Sequence, residues 1–240
     1  MTFTLRSIAA ILLVGAGIAF FTPLVILAAV GPYRWRWALA RAWARFALRT
    51  LEVVCGVGHT VTGAEHLATG TPSIVFCKHQ SAWETFAMIA LCPAHTWVLK
   101  RELMWVPFLG WALAAMRPVA IRRGTGRTAV LQVVEQGRRA LEAGRWLMIF
   151  PEGTRLPPFA TRRFGIGGAV LATETGAPGV PIAVNGGHFW PRKGLITRTG
   201  NVSVIVGPPI VSAGKTPEAL NAEAKAWIDA TMATIEPPPA

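Results

Sequence analysis

Hydrophobic and polar residues divide the chain into an apolar N-terminal segment and a longer body of alternating pattern. Residues 8–30 contain no charged side chain. As a helix, this segment would be about 34 Å long, enough to cross the ~30 Å hydrocarbon core of a bilayer. Pro23 and two glycines interrupt it, so a kink or a re-entrant hairpin is an alternative geometry. A membrane anchor is predicted in preference to a cleaved signal peptide, whose apolar region is typically shorter.

A second helix is predicted over residues 33–51, where tryptophan, leucine and phenylalanine recur at helical spacing with arginines between them. Such a helix lies in the headgroup layer with its guanidinium groups on phosphates. The alternative is an ordinary packing helix with a solvated basic face. Five arginines follow the apolar segment, whereas only Arg6 precedes it. This asymmetry predicts an inner (cytoplasmic) membrane protein whose body faces the cytoplasm.

Short apolar runs alternate with helical patterns beyond residue 53. Strands are predicted at residues 73–77, 97–99, 119–121, 146–150, 180–184 and 202–206. Helices are predicted over residues 127–143 and 164–175, and a last helix begins at Thr216-Pro217, with Thr as N-cap and Pro in the first turn. The predicted fold is therefore α/β, a mixed sheet flanked by helices over residues 53–240, behind a membrane-anchoring helical segment over residues 1–52.

Composition and charge narrow the class of protein. Only 15% of residues are charged and 52% are hydrophobic, whereas a soluble domain averages about 25% charged. The net charge of +12 attracts polyanions, either anionic lipid or nucleic acid. Because the arginines are interleaved with apolar residues, the membrane is favoured and nucleic-acid binding is not expected. The three cysteines are interpreted as reduced apolar fillers.

Polar residues directly follow the predicted strand at 73–77. His79 comes after this strand, and Glu84 lies five positions further, near the start of the next helix. A carboxylate there can orient the imidazole, leave the other nitrogen free as a base and stabilise the imidazolium. The pair therefore suits deprotonation of an alcohol, although a helix-cap contact without chemistry has the same spacing. His188 has no evident acidic partner and is interpreted as a loop or core histidine.

A second polar segment, residues 150–155, follows the strand predicted at 146–150 and reads Phe-Pro-Glu-Gly-Thr-Arg. A turn of this composition offers a hydroxyl, backbone donors and an arginine, which binds phosphate in a bidentate way. An ordinary surface turn is the alternative. Cations also follow other predicted strands, so several of them converge on one sheet edge if the strands are neighbours. These are Lys100, Arg101, Arg122 and Arg123; a solvated basic face accounts for at least half of them.

Together, these segments resemble the glycerolipid acyltransferase family, in particular the 1-acylglycerol-3-phosphate acyltransferases. The family's His-x4-Asp motif is similar to His79–Glu84, with Glu in place of the usual Asp, and its Phe-Pro-Glu-Gly-Thr-Arg motif matches in full. Two further motifs occur in the family's order, Lys-x-x-Leu to Ile-x-Arg over residues 100–123 and Val-Pro-Ile at 180–182. In the third motif, Arg122 replaces the family's Asp. The resemblance covers roughly residues 60–210.

The resemblance implies an O-acyltransferase that moves an acyl chain from acyl-CoA or acyl-carrier protein to the sn-2 hydroxyl of lysophosphatidic acid. It implies His79 as the base and Glu84 as its orienting acid. It assigns the acceptor to Lys100, Arg123, Glu152, Gly153, Thr154 and Arg155. Glu152 is expected to fix the turn or a glycerol hydroxyl. No metal or prosthetic group is expected, and the partners are membrane lipids and the two substrates. The alternatives are another lysolipid acceptor, an amino-acid lipid precursor, or a catalytically silent lipid-binding protein.

Overall fold

A computed structural model describes residues 2–122 and 126–236 of the chain. Within these residues the helices are α1 Phe3–Leu27, α2 Tyr33–Cys55, α3 Trp83–Leu91, α4 Leu109–Ala115, α5 Arg127–Glu142, α6 Gly167–Thr175 and α7 Pro217–Ile235. The strands are β1 Val57–Thr62, β2 Ile74–Cys77, β3 His95–Lys100, β4 Val119–Ile121, β5 Trp146–Ile149, β6 Gly179–Val184 and β7 Gly200–Val206.

The strands of the described residues form one mixed sheet in the order β1-β7-β6-β2-β5-β3-β4. The pairs β6-β2, β2-β5, β5-β3 and β3-β4 are parallel, as is the pair β1-β7, whereas β6 and β7 pair antiparallel. The central strands β2, β5 and β6 are buried throughout, which explains their continuous apolar sequences, since a parallel strand is covered on both faces. The predicted α/β fold with a mixed sheet is confirmed.

Helices cover both faces of the sheet and create two apolar cores. One core joins α1, α2 and α3 to the sheet, and the other joins α5, α6 and α7 to the opposite face. Helix α7 begins as predicted, because the Thr216 hydroxyl accepts a hydrogen bond from Ala219 N at 3.2 Å and Pro217 occupies the first turn.

The structure corrects several predicted boundaries. Strand β1 was not predicted from the sequence, because its pattern is short and half polar, and its pairing with β7 defines it. The helix predicted to start at residue 164 begins at Gly167, because Gly165 N donates to Pro151 O at 2.8 Å and ties that backbone to the 150–155 turn. Helix α2 extends to Cys55, past the predicted boundary at residue 52; the division into two domains stays a prediction.

Helix α1 runs through Pro23 without a break and packs against α2. It is long and apolar enough to cross a membrane by length and composition. Polar contacts tie it to the rest of the molecule: the Ser7 hydroxyl accepts from Ile196 N at 2.8 Å, and Trp43 Nε1 donates to Val14 O at 3.3 Å. The N-terminal segment is therefore one continuous helix and not a re-entrant hairpin.

The arginines of α2 have two different environments. Arg36 donates to Ala115 O at 2.8 Å, and Arg41 donates to Ala90 O and Cys92 O at 3.1 Å each. These two guanidinium groups satisfy backbone carbonyls of the domain, so the prediction that they lie on lipid phosphates is wrong for them. Arg34, Arg45 and Arg49 are exposed. Helix α2 therefore packs against the domain through two of its five arginines and keeps a basic face with the other three, whose contact with lipid headgroups stays a prediction.

Candidate active site

The segment between β2 and α3 brings His79 and Glu84 together. His79 Nδ1 lies 3.0 Å from Glu84 Oε2. The Glu84 carboxylate is fully buried and accepts hydrogen bonds from Ser81 N at 2.8 and 2.9 Å and from Gln80 N at 3.2 Å. Glu84 thus lies in the first turn of α3, and its carboxylate reaches back to the backbone N–H groups of the two residues that precede the N-cap Ala82.

Burial raises the pKa of Glu84 above its usual value, while the hydrogen bonds from His79, Ser81 and Gln80 oppose that shift. When Glu84 is ionised, the His79 Nδ1–H donates to it and Nε2 has the free lone pair of a base. The imidazole also stacks on the Phe150 ring, with centroids 3.9 Å apart and planes inclined by 20°. Two contacts therefore fix the ring in one orientation.

Lys78 and Glu152 link the two polar segments beneath His79. Lys78 Nζ lies 2.5 Å from Glu152 Oε1 and donates to Ala160 O at 2.8 Å. The other carboxylate oxygen, Glu152 Oε2, accepts from His79 N at 3.0 Å. The Lys78 and Glu152 side chains are only 3% and 1% exposed. Nothing in the local sequence marks Lys78 as a site residue, because its partner lies 74 positions away.

The 150–155 turn closes over His79 from the end of β5. Gly153 has φ of +71° and its N–H donates to Phe150 O at 2.9 Å, a conformation that glycine adopts at little cost. Leu156 N donates to His79 O at 2.8 Å. Thr154 and Arg155 line the same cavity as His79. Glu152, in contrast, is buried in its pair with Lys78, which favours the turn-fixing role over direct contact with an acceptor.

The other basic residues predicted for the site do not all line the cavity at His79. Lys100, at the end of β3, lines the cavity together with His79 and Arg155. Arg123 lies outside the described residues. Arg122 and Arg101 line a different cavity, so they do not converge with Lys100 on the histidine.

The cavity at His79 is amphiphilic, with a volume of about 470 Å³. Its polar wall carries His79, Lys100, Thr154 and Arg155, whereas the rest is largely apolar and includes Trp43, Phe86, Trp97 and Leu113. A narrower, apolar cavity of about 70 Å³ shares Trp43, Ile89, Trp97, Leu109 and Leu113 with it and reaches between α1, α2 and α4. The site therefore offers a polar wall and an apolar interior to one amphiphilic ligand.

A second histidine–carboxylate contact lies behind the site. His188 Nε2 is 3.4 Å from Glu236 Oε1, and Gln80 Nε2 donates to the same oxygen at 2.6 Å. His188 ends the short turn Gly186–His188, in keeping with its interpretation as a loop histidine. No acid is near it in the sequence, but the fold brings it beside Glu236, which directly follows α7. Burial lowers the pKa of His188, and the Glu236 carboxylate opposes that shift. Among residues 2–122 and 126–236, no cluster of His, Cys, Asp or Glu is arranged to hold a metal ion.

Comparison with known proteins identifies the family. A family model described as "Acyltransferase" matches residues 58–185, a range that includes both polar segments. The chain belongs to this acyltransferase family. A relative from Pseudomonas aeruginosa, named 1-acyl-sn-glycerol-3-phosphate acyltransferase, is 41% identical over 215 residues, which cover 88% of this chain and 83% of the relative.

A more distant relative and a solved structure carry similar names. Human 1-acyl-sn-glycerol-3-phosphate acyltransferase alpha is 29% identical over 176 residues, covering 72% of this chain and 62% of that protein. The solved structure of the LPA acyltransferase PlsC from Thermotoga maritima superposes with a TM-score of 0.81 at 18% identity, covering 98% of this chain and 97% of that one. The agreement with PlsC establishes the fold, including the N-terminal helices.

Proposed function

We propose that this acyltransferase transfers an acyl chain from a thioester donor to the sn-2 hydroxyl of 1-acyl-glycerol-3-phosphate, giving phosphatidic acid. The observation that carries the proposal is the oriented His79–Glu84 pair, on one wall of a cavity that combines cations with an apolar interior. An acceptor with a phosphate, a hydroxyl and an alkyl chain matches these three features. The name of the Pseudomonas aeruginosa relative supports the same substrate.

In the proposed reaction, His79 Nε2 removes the proton from the acceptor hydroxyl as its oxygen attacks the thioester carbonyl. A C–O bond forms, the tetrahedral intermediate collapses, and the C–S bond breaks. The imidazolium returns its proton to the leaving thiolate, so the product is an ester and a free thiol. The buried Glu84 carboxylate stabilises the imidazolium and keeps Nδ1 protonated. Protons and electrons balance without a metal or prosthetic group.

The acceptor phosphate would be bound by Arg155 and Lys100, with the Thr154 hydroxyl as a further donor. Gly153 would shape the turn that presents them, since its N–H already donates to Phe150 O. Arg123 joins this set on the basis of the sequence motif alone. Glu152 would act through Lys78 and the backbone of His79, as a positioning residue. The acyl chain of a substrate would extend into the apolar cavity between α1, α2 and α4.

Both substrates carry long apolar chains, so the enzyme is expected to work at a bilayer. Helix α1 supports this, since it is long and apolar enough to span a membrane. The excess of arginines after α1 favours the inner membrane, with the domain on the cytoplasmic side. Acyl-CoA and acyl-carrier protein are both thioesters and both suit the proposed chemistry.

Acyl transfer by the purified full chain tests the proposal. The acceptors are lysophosphatidic acid, a lysophospholipid, a lyso amino-acid lipid and a monoacylglycerol without phosphate, each offered with acyl-CoA and with acyl-carrier protein. The expected result is a preference for lysophosphatidic acid. A preference for another lysolipid would replace the acceptor, and no transfer to any of them would favour a silent lipid-binding protein.

Two variants separate chemistry from binding. His79→Ala should abolish transfer, while the control His66→Ala, which removes a ring bound to Val206 O, should retain it. Full activity in His79→Ala would contradict the mechanism. Arg155→Ala should raise KM for lysophosphatidic acid more than for the monoacylglycerol, because only the former carries a phosphate. Arg138→Ala, at an exposed ion pair, is the matched control; equal KM effects on both acceptors would remove Arg155 from the phosphate site.

A further inference from the structure

Residues 103–111, which follow β3 and extend into the first turn of α4, form an exposed apolar ledge. Its exposed apolar side chains are Leu103, Trp105, Val106, Phe108 and Trp111. Trp105 is 75% exposed and Trp111 is 51% exposed. Contiguous apolar surface with two exposed tryptophans is unusual for a domain surrounded by water and marks a site of interaction. Neither the chemistry at His79 nor the acceptor phosphate explains the exposed rings.

The backbone of the ledge contains a tight, closely packed turn. Leu109 N donates to Pro107 O at 2.7 Å, and Phe108 between them has φ of +61° and ψ of −63°. This is a γ-turn of the strained kind, which persists only where the surrounding structure determines it. A side chain at Gly110 would place its Cβ 2.3 Å from Met104 O. The backbone is thus closely packed while the Phe108 and Trp111 rings, 5.3 Å apart, face outward.

The ledge adjoins the second half of α1. The Thr22 hydroxyl lies 3.2 Å from Phe108 O, and residues of both segments line one apolar cavity. On this half of α1 the side chains of Phe20, Leu24 and Leu27 are exposed. The exposed rings of the ledge therefore lie beside the helix that is apolar and long enough to enter a bilayer.

The charges around the ledge match an anionic lipid surface. Lys100 and Arg101 precede it, Arg117 follows it, and all three are exposed, against the single exposed acid Glu102 within these flanks. Tryptophans flanked by arginine and lysine are typical of residues at the boundary between headgroups and acyl chains. A soluble protein partner would leave this combination beside α1 unexplained.

We propose that the ledge is a second membrane contact, which inserts its aromatic rings into the anionic bilayer that receives α1. Leu103 and Leu109 also line the cavity at His79. Insertion of the ledge therefore fixes the cavity at the bilayer surface and holds Lys100 and Arg155 at the depth of lipid phosphates. The inference concerns membrane binding and stands independently of the proposed acceptor.

Site-specific fluorescence tests the contact in the full chain. The three native cysteines are buried, so a single introduced cysteine can be labelled selectively with an environment-sensitive dye. Trp105→Cys and Trp111→Cys report on the ledge. Val211→Cys is the matched control, because Val211 is apolar and 63% exposed but lies between β7 and α7, next to Ile210 of the opposite core.

In vesicles of phosphatidylglycerol and phosphatidylethanolamine with brominated chains, we expect blue-shifted emission and strong quenching at positions 105 and 111, with neither at 211. Quenching at the ledge no stronger than at 211 would overturn the proposal. Blue-shifted but unquenched emission would also overturn it, because the ledge would then contact protein.

Activity gives a second readout. Trp105→Asp should lower kcat/KM for an acceptor in vesicles by roughly threefold, since it removes a ring that favours the bilayer boundary and places a carboxylate there, and should leave the rate on a short-chain soluble acceptor unchanged. Val211→Asp should change neither. Equal rates for Trp105→Asp and the unaltered chain on vesicles would refute the contact. If the unaltered chain fails to act on the acceptor, the proposed function fails and the dye measurement still decides the ledge.

Discussion

Replacing Lys78 with methionine would test whether the buried Lys78–Glu152 pair holds the two active-site segments together. The side chains are 3% and 1% exposed and their charged atoms lie 2.5 Å apart, so removal of the ammonium leaves Glu152 charged without its cation in the interior. Breaking a buried pair from one side typically costs about 3–5 kcal/mol. A domain is stable by only about 5–15 kcal/mol, so we expect a large fall in the free energy of unfolding.

Thermal unfolding of the detergent-solubilised protein measures this effect, with acyl transfer followed in parallel. Lys215→Met is the matched control, because it removes the same side chain from the exposed pair with Glu223, which should be worth about 1 kcal/mol or less. The double variant Lys78→Met/Glu152→Gln should recover most of the loss, since it has no unpaired charge and retains an acceptor for His79 N. A Lys78→Met variant no less stable than Lys215→Met would refute this reasoning.

Three further outcomes follow from the same structure. Glu84→Gln should lower kcat by about a hundredfold or more with little change in KM, because the amide cannot stabilise the His79 imidazolium; steady-state kinetics that show an unchanged kcat would contradict the dyad. Burial lowers the pKa of His95 to about 4. Between pH 6.5 and 4 the His95 ring therefore binds a proton in the unfolded chain but not in the folded one. The free energy of unfolding should fall by up to about 1.4 kcal/mol per pH unit as the pH drops through this range. Melting temperatures measured against pH should show a shallower slope in His95→Leu, and an identical slope would exclude His95 as the cause. Gly110→Ala should destabilise the protein by about 1–3 kcal/mol, because the added Cβ meets the Met104 carbonyl, which is backbone and cannot rotate away; an unchanged melting temperature would contradict the close packing of that turn.

Local sequence patterns were sufficient for most of the sheet and for the dyad. The apolar runs at β2, β5 and β6 are continuous because these strands are covered on both faces, and the predicted ranges agree with the structure to within a residue at each end. His79 and Glu84 are five residues apart at a strand-to-helix junction, so their contact depends on one turn of backbone. The family resemblance, confirmed by the comparisons, added the expectation that residues 150–155 join the same site.

Contacts between distant segments could not be predicted in this way. The arginines of α2 have the spacing of a headgroup-binding helix, yet Arg36 and Arg41 donate to carbonyls at Ala115, Ala90 and Cys92. The partner of His188 is Glu236, which lies 48 residues further along the chain. Strand β1 has a weak pattern of its own and is defined by pairing with β7.

The sequence by itself determined the apolar helix α1, the central strands and the contact between His79 and Glu84, because each depends on residues within one element or one turn. The tertiary structure decided which charges are buried and what they contact. Lys78 finds Glu152 across 74 positions only because β2 and β5 are neighbours in the sheet. Hydrophobic periodicity records which side of an element is covered, whereas the identity of the covering residue depends on the path of the whole chain.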